Sequence, residues 1–125
     1  IDRKLVEKID SLCTEEGVNN VTTILGGEAD PRFDSAKLDL VIMVRVYHHL
    51  TKPSPMLGAI RDSLKPGGRL VIVEPNMLSF KENDRSHTSD PDKVQLMAEK
   101  SGFKFVKLET IKSQFVLILR ATGPE

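Results

Sequence analysis

The sequence predicts an α/β fold: a Rossmann-like, mostly parallel sheet with helices on both faces, closed by a C-terminal antiparallel β-hairpin. Three observations carry the expectation. Residues 38–44, apolar but for Asp39, and 70–73 are runs without period-two alternation, the pattern of strands covered on both faces. Between them Met56, Leu57, Ile60 and Leu64 recur at helical spacing, so a helix joins two parallel strands. Residues 103–109 and 115–119 both read as strands, and the link 110–113 is too short for a crossover helix, so they pair antiparallel.

The elements follow in order. Residues 3–16 form an amphipathic helix, with Leu5, Val6, Ile9, Leu12 and Cys13 on one face, Asp2 as N-cap and Gly17 at the C′ position. Residues 21–25 are short and β-branched, a strand that Gly26-Gly27 ends. A polar loop, 28–37, leads into the strand 38–44. Pro53 or Pro55 suits the first turn of the next helix. Lys65-Pro66-Gly67-Gly68 is a tight turn before the strand 70–73. Residues 75–89 form a long polar loop, the length of loop that usually carries function. Asp90-Pro91 starts a helix that Gly102 ends, with Val94, Met97 and Ala98 inward.

The 125 residues suit one domain, 1–125. Eighteen basic residues balance eighteen acidic ones, so nothing electrostatic argues for nucleic acid or an anionic membrane as partner. No apolar run approaches the roughly 20 residues that span a bilayer. The single cysteine, Cys13, lies on an apolar helix face and reads as a small buried hydrophobe. One cysteine fits a reducing compartment, and the expected location is the cytoplasm. The chain starts at Ile1, mid-pattern and without an initiator Met, so a longer protein is expected.

Ligands of open parallel sheets sit beyond the carboxyl ends of the strands. Three stretches fall there: residues 26–31, residues 45–49, and the loop from Glu74 to about His87. Gly26-Gly27 lets backbone approach a ligand, and Glu28 and Asp30 can accept from an amino group or hydroxyls; a polar turn with solvated acids is the plain alternative. His48 has the chemistry of a general base, or of a structural histidine at a strand-to-helix corner. Arg45, ending a buried strand, needs a loop acid or solvent. His87 is far from His48 and His49 along the chain, so no metal site is assigned.

Asp39-Leu-Val-Ile-Met43, Tyr47-His48-His49-Leu50 and Leu64-Lys-Pro-Gly-Gly-Arg-Leu-Val-Ile-Val-Glu74, at this spacing, resemble the later part of a class I S-adenosylmethionine-dependent methyltransferase. The resemblance covers essentially the whole chain. It implies S-adenosylmethionine as cofactor and a methyl acceptor, a small molecule, as substrate. It places Gly27, Glu28, Asp30 and Pro31 around the adenine, with Asp30 the first choice for its amino group and Glu28 the second. It places Val44 and Arg45 beside the methionine and ribose portions. Tyr47 and His48 fall on the substrate side, with His87 a looser candidate there. His48 is the candidate for a catalytic residue, which is otherwise unassigned.

One departure is large. The family's Gly-rich loop after its first strand, and the acid ending its second, have no counterpart here, so two strands of its sheet are missing. The expected source is a preceding segment of the same polypeptide; the alternatives are a second chain or homo-oligomer, or repacking that pairs residues 21–25 directly with 38–44. The fragment alone is expected to be inactive. Two other readings stand beside the enzyme: a non-catalytic module of the same fold, and half of a nucleotide-binding dehydrogenase.

Overall fold

A computed structural model describes residues 2–122. Helix α1 (Arg3–Glu15) is followed by strand β1 (Leu38–Val44), helix α2 (Pro53–Ser63), strand β2 (Leu64–Pro75), helix α3 (Pro91–Lys100) and strands β3 (Phe103–Ile111) and β4 (Gln114–Ala121). The sheet order is β1-β2-β4-β3. β1 and β2 are parallel, while β2/β4 and β3/β4 are antiparallel, so the sheet is mixed and open.

The local chemistry is as expected at most element ends. The Asp2 carboxylate accepts from the backbone N of Leu5 at 3.1 Å, capping α1, and Gly17 follows the helix with φ +67°. Asp90 accepts from the N of Asp92 at 3.0 Å ahead of Pro91, the first residue of α3. The hairpin β3–β4 turns through Lys112, whose φ is +55°.

One face of the sheet is the core. Val41, Met43, Leu70, Ile72, Leu117 and Leu119 share it by register, and Met56, Leu57 and Ile60 of α2 with Val94 and Ala98 of α3 cover it. Leu57, Ile60, Leu70, Ile72, Val94, Leu117 and Leu119 are at most 2% exposed, each worth about 1.5–3 kcal/mol relative to exposure.

The structure corrects four sequence expectations. Residues 21–25 form no strand; Val21 and Ile24 stay largely exposed, because no neighbouring strand offers them a ladder. β1 is covered on one face only: Leu40, Ile42 and Val44 are 50%, 55% and 54% exposed, and its outer edge pairs with no strand among the described residues. The apolar stripe of α1 is likewise uncovered, with Leu5, Ile9 and Leu12 exposed and Cys13 only half-buried. Lys65–Gly68 is not a separate turn but a bulge within β2: Leu38 pairs with Leu64 and Leu40 with Arg69. Gly67 supplies φ +79° there.

Candidate functional site

The site grows from the parallel ends of β1 and β2. At the end of β1 Arg45 takes φ +57°, and its N–H donates to the carbonyl of Val73 at 2.8 Å. That left-handed residue turns the chain out of the strand into a single 3₁₀ turn, Tyr47–His49. β2 runs two residues further along the covered face, from Leu70 and Ile72 to Glu74.

Glu74 is fully buried, and a buried carboxylate needs partners. It has them. His48 donates its backbone N–H to Oε1 at 2.7 Å, and its ring Nδ1 lies 3.0 Å from both oxygens. The Ser89 hydroxyl donates to Oε1 at 2.8 Å. With the carboxylate already accepting from N–H and O–H groups, Nδ1 is placed as donor, and Nε2 is the free ring nitrogen. Beside this pair Tyr47 packs against the core, and its phenol is pushed above its usual pKa by burial and then by Glu74.

The loop 76–89 closes on itself at its base. Asn76 and Ser89 bridge in parallel, the N–H of Met77 donates to the Ser89 carbonyl at 2.9 Å, and that of Ser89 to the Pro75 carbonyl at 3.0 Å. Ser89 and His87 therefore return to the strand end they left. His87, with φ +61°, stands with its ring centroid 5.3 Å from that of His48 and 5.4 Å from that of His49. Distance along the chain, the ground for assigning no metal site, does not keep His87 away.

A cleft of about 720 Å³ opens on the other side of the turn, walled by part of the segment from Ile24 to Phe33, by Val41–Met43 of β1 and by Met56 and Ile60 of α2. Gly27, Glu28 and Pro31 line it, with Val46, His49 and Thr51. Asp30 does not; its Oδ1 accepts from the N–H of Arg32 at 2.7 Å and fixes its own turn. Glu28 is held by the Thr51 hydroxyl, which donates to its Oε1. Val44 and Arg45 are exposed and not part of the cleft wall. Arg45 enters none of the ion pairs among the described residues. Glu74 and His49 lay within the candidate stretches of the sequence but were given no role there, and Ser89 lay outside them. A lone acid ending an apolar run, Leu70-Val-Ile-Val-Glu74, was the available signal for the first.

Comparison with known proteins shows the family and the fold. The family described as "Methyltransferase domain" matches residues 1–72, more than half of the chain. The chain belongs to that methyltransferase domain family. A SAM-dependent methyltransferase from Aquifex aeolicus superposes with a TM-score of 0.85 at 16% identity, over 98% of this chain and 66% of that one. The [4+2]-cyclase SpnF superposes with a TM-score of 0.83 at 11% identity, over 99% of this chain and 65% of that one. At these identities the likeness concerns the fold. Probable polyketide synthase 29 of Dictyostelium discoideum is 30% identical over 80 residues, which is 62% of this chain and 3% of that protein. The methyltransferase domain thus spans a small part of the curated relatives it matches.

The family implies S-adenosylmethionine as cofactor. The cleft suits its adenine end: Ile24, Pro31, Phe33 and Ile42 offer apolar walls, and Glu28 offers a carboxylate to an amino group. No Gly-rich loop for the remainder lies among the described residues. No helix among them is long and apolar enough to cross a membrane.

Proposed function

We propose that this domain transfers a methyl group from S-adenosylmethionine to a small-molecule acceptor whose nucleophilic atom carries a proton. The observation that carries the reading is the buried Glu74 holding His48 by both ring and backbone, with Nε2 left free. Bound at the cleft, the cofactor supplies an electrophilic methyl on a sulfonium, which needs no metal or strong acid to react. The chain's work is alignment, exclusion of water and removal of the acceptor's proton. Glu28, Gly27 and Pro31 hold the adenine; His48 takes the proton on Nε2 while Glu74 steadies the imidazolium through Nδ1. Tyr47 and His87 border the acceptor.

The resemblance to polyketide synthases supports an acidic carbon beside a thioester carbonyl as one such acceptor. The open edge and uncovered face of β1 support a complete site only where further strands pack there, from a preceding segment of the same polypeptide or from a second chain. A non-catalytic module of this fold is the second reading, since a fold does not fix a function. The test is transfer of radiolabelled methyl to a panel of β-ketoacyl thioesters and phenols. His48→Ala is expected to lower turnover by about 10²–10⁴-fold. Unchanged turnover in that variant removes the base; no transfer to any acceptor by the longest natural polypeptide favours the module.

A further inference from the structure

We propose that His48, His49 and His87 form a binding site for a divalent transition-metal ion of the zinc class, at the mouth of the cleft. One ring nitrogen from each of the three lies within 4.8 Å of the other two. A tetrahedral site with Zn–N bonds of about 2.05 Å sets its nitrogens about 3.3 Å apart. The rings must close by about 1.5 Å at most, and His49 and His87 are exposed, so rotation about their side-chain bonds supplies that. The His48 and His49 rings are already 4.1 Å apart between centroids.

The surroundings are those of a built site. Glu74 takes the Nδ1 of His48, so Nε2 is the ring nitrogen left to ligate. A metal-bound histidine almost always has such a partner on its other nitrogen, and the partner is in place without the ion. Ser89, two residues beyond His87, donates to the same carboxylate, so one buried acid fixes both the turn and the loop that bring the ligands. Packing alone does not call for three imidazoles here: His49 and His87 are exposed, and His87 adopts φ +61° where it stands. Three imidazoles select zinc, copper, nickel or cobalt over magnesium or calcium, which need oxygen ligands. Three protein ligands leave a fourth position for water or an acceptor oxygen.

A consequence rests on the proposed function. The ion and the acceptor's proton compete for the same Nε2, so an ion-loaded site cannot use His48 as a base, and zinc inhibits transfer.

The test is titration of Co²⁺ into untagged protein, followed by visible absorption. The intense bands of tetrahedral Co²⁺ are expected at one equivalent, and Zn²⁺ is expected to displace them. His49→Ala and His87→Ala, both exposed positions, should each weaken binding at least tenfold. Glu74→Gln should weaken it by about 10- to 100-fold through misorientation of His48. Circular dichroism reports whether each variant is folded. Absence of the bands in folded protein, or binding as tight in both alanine variants as in the parent, overturns the site. The readout needs no methyl transfer, so it stands or falls apart from the proposed reaction.

Discussion

Glu74 and His48, 26 residues apart, are joined twice: the carboxylate meets both the backbone N–H of His48, at 2.7 Å, and its ring Nδ1, at 3.0 Å. The first contact fixes where the 3₁₀ turn starts and the second fixes the ring. Replacing Glu74 with Gln keeps the volume but puts an N–H₂ among donors. Turnover is expected to fall about 10²-fold, because the base loses its orientation and its charge partner. Affinity for S-adenosylmethionine should be unchanged, since Glu74 is not part of the cleft wall. Equal loss of both would make Glu74 a folding residue instead.

The uncovered face of β1 gives a prediction about completeness. In residues 1–125 alone, Ile42→Glu should change stability by less than about 0.5 kcal/mol, as for ordinary surface sites. In a polypeptide whose further strands and helices cover that face, the same change buries a charge and should cost about 3 kcal/mol or more. Denaturant melts of both forms measure the difference. Equal effects in the two would mean that nothing packs on Ile42.

Two glycines should behave oppositely. A Cβ on Gly68 would sit 2.9 Å from the Lys65 carbonyl oxygen and 3.1 Å from a Leu64 side-chain carbon. Gly68→Ala should destabilise by about 1–3 kcal/mol as the bulge shifts. A Cβ on Gly58, within α2, meets nothing within 4 Å, and Gly58→Ala should stabilise by about 0.5–1 kcal/mol. Thermal melts of the pair check the sign as well as the size.

Tyr47 is the chain's only tyrosine and there is no tryptophan, so its ionisation can be followed by ultraviolet absorbance. Burial, and then the charge of Glu74, raise the folded pKa above the ordinary value of 10.0. The folded state therefore holds the proton more tightly than the unfolded one. This contribution is fully present below the unfolded pKa and is lost as pH rises through the folded pKa. In buffer containing a chelator, phenolate absorbance should appear at higher pH in folded than in urea-unfolded protein. Coincident titrations would place Tyr47 in water.

Much of the fold was legible because apolar runs and helical stripes are local signals. Residues 38–44, the α2 stripe and the short link before Gln114 each dictated one element and one pairing sense. Residues 21–25 were misread for the converse reason: β-branched composition describes a residue's fitness for a sheet and says nothing of whether a neighbour exists to pair with. The covered and open faces of β1 could not be told apart, since Leu40 and Val41 are equally apolar and only the packing of α2 distinguishes them. His48 was legible as a residue leaving a strand end and His87 as a candidate in the loop, whereas their meeting with each other and with Glu74 was not. Their approach depends on the strand register and on the closure of loop 76–89 at Asn76 and Ser89, which no short-range pattern encodes.

In the proposed methyltransferase site, the cleft beside β1 holds the adenine of S-adenosylmethionine against Glu28. Calorimetric titration of S-adenosylmethionine into the longest natural polypeptide that contains these residues tests it most directly. The expected result is one site with a Kd between about 1 μM and 1 mM, weakened at least tenfold by Glu28→Ala. No heat of binding, or binding that Glu28→Ala leaves unchanged, would contradict it.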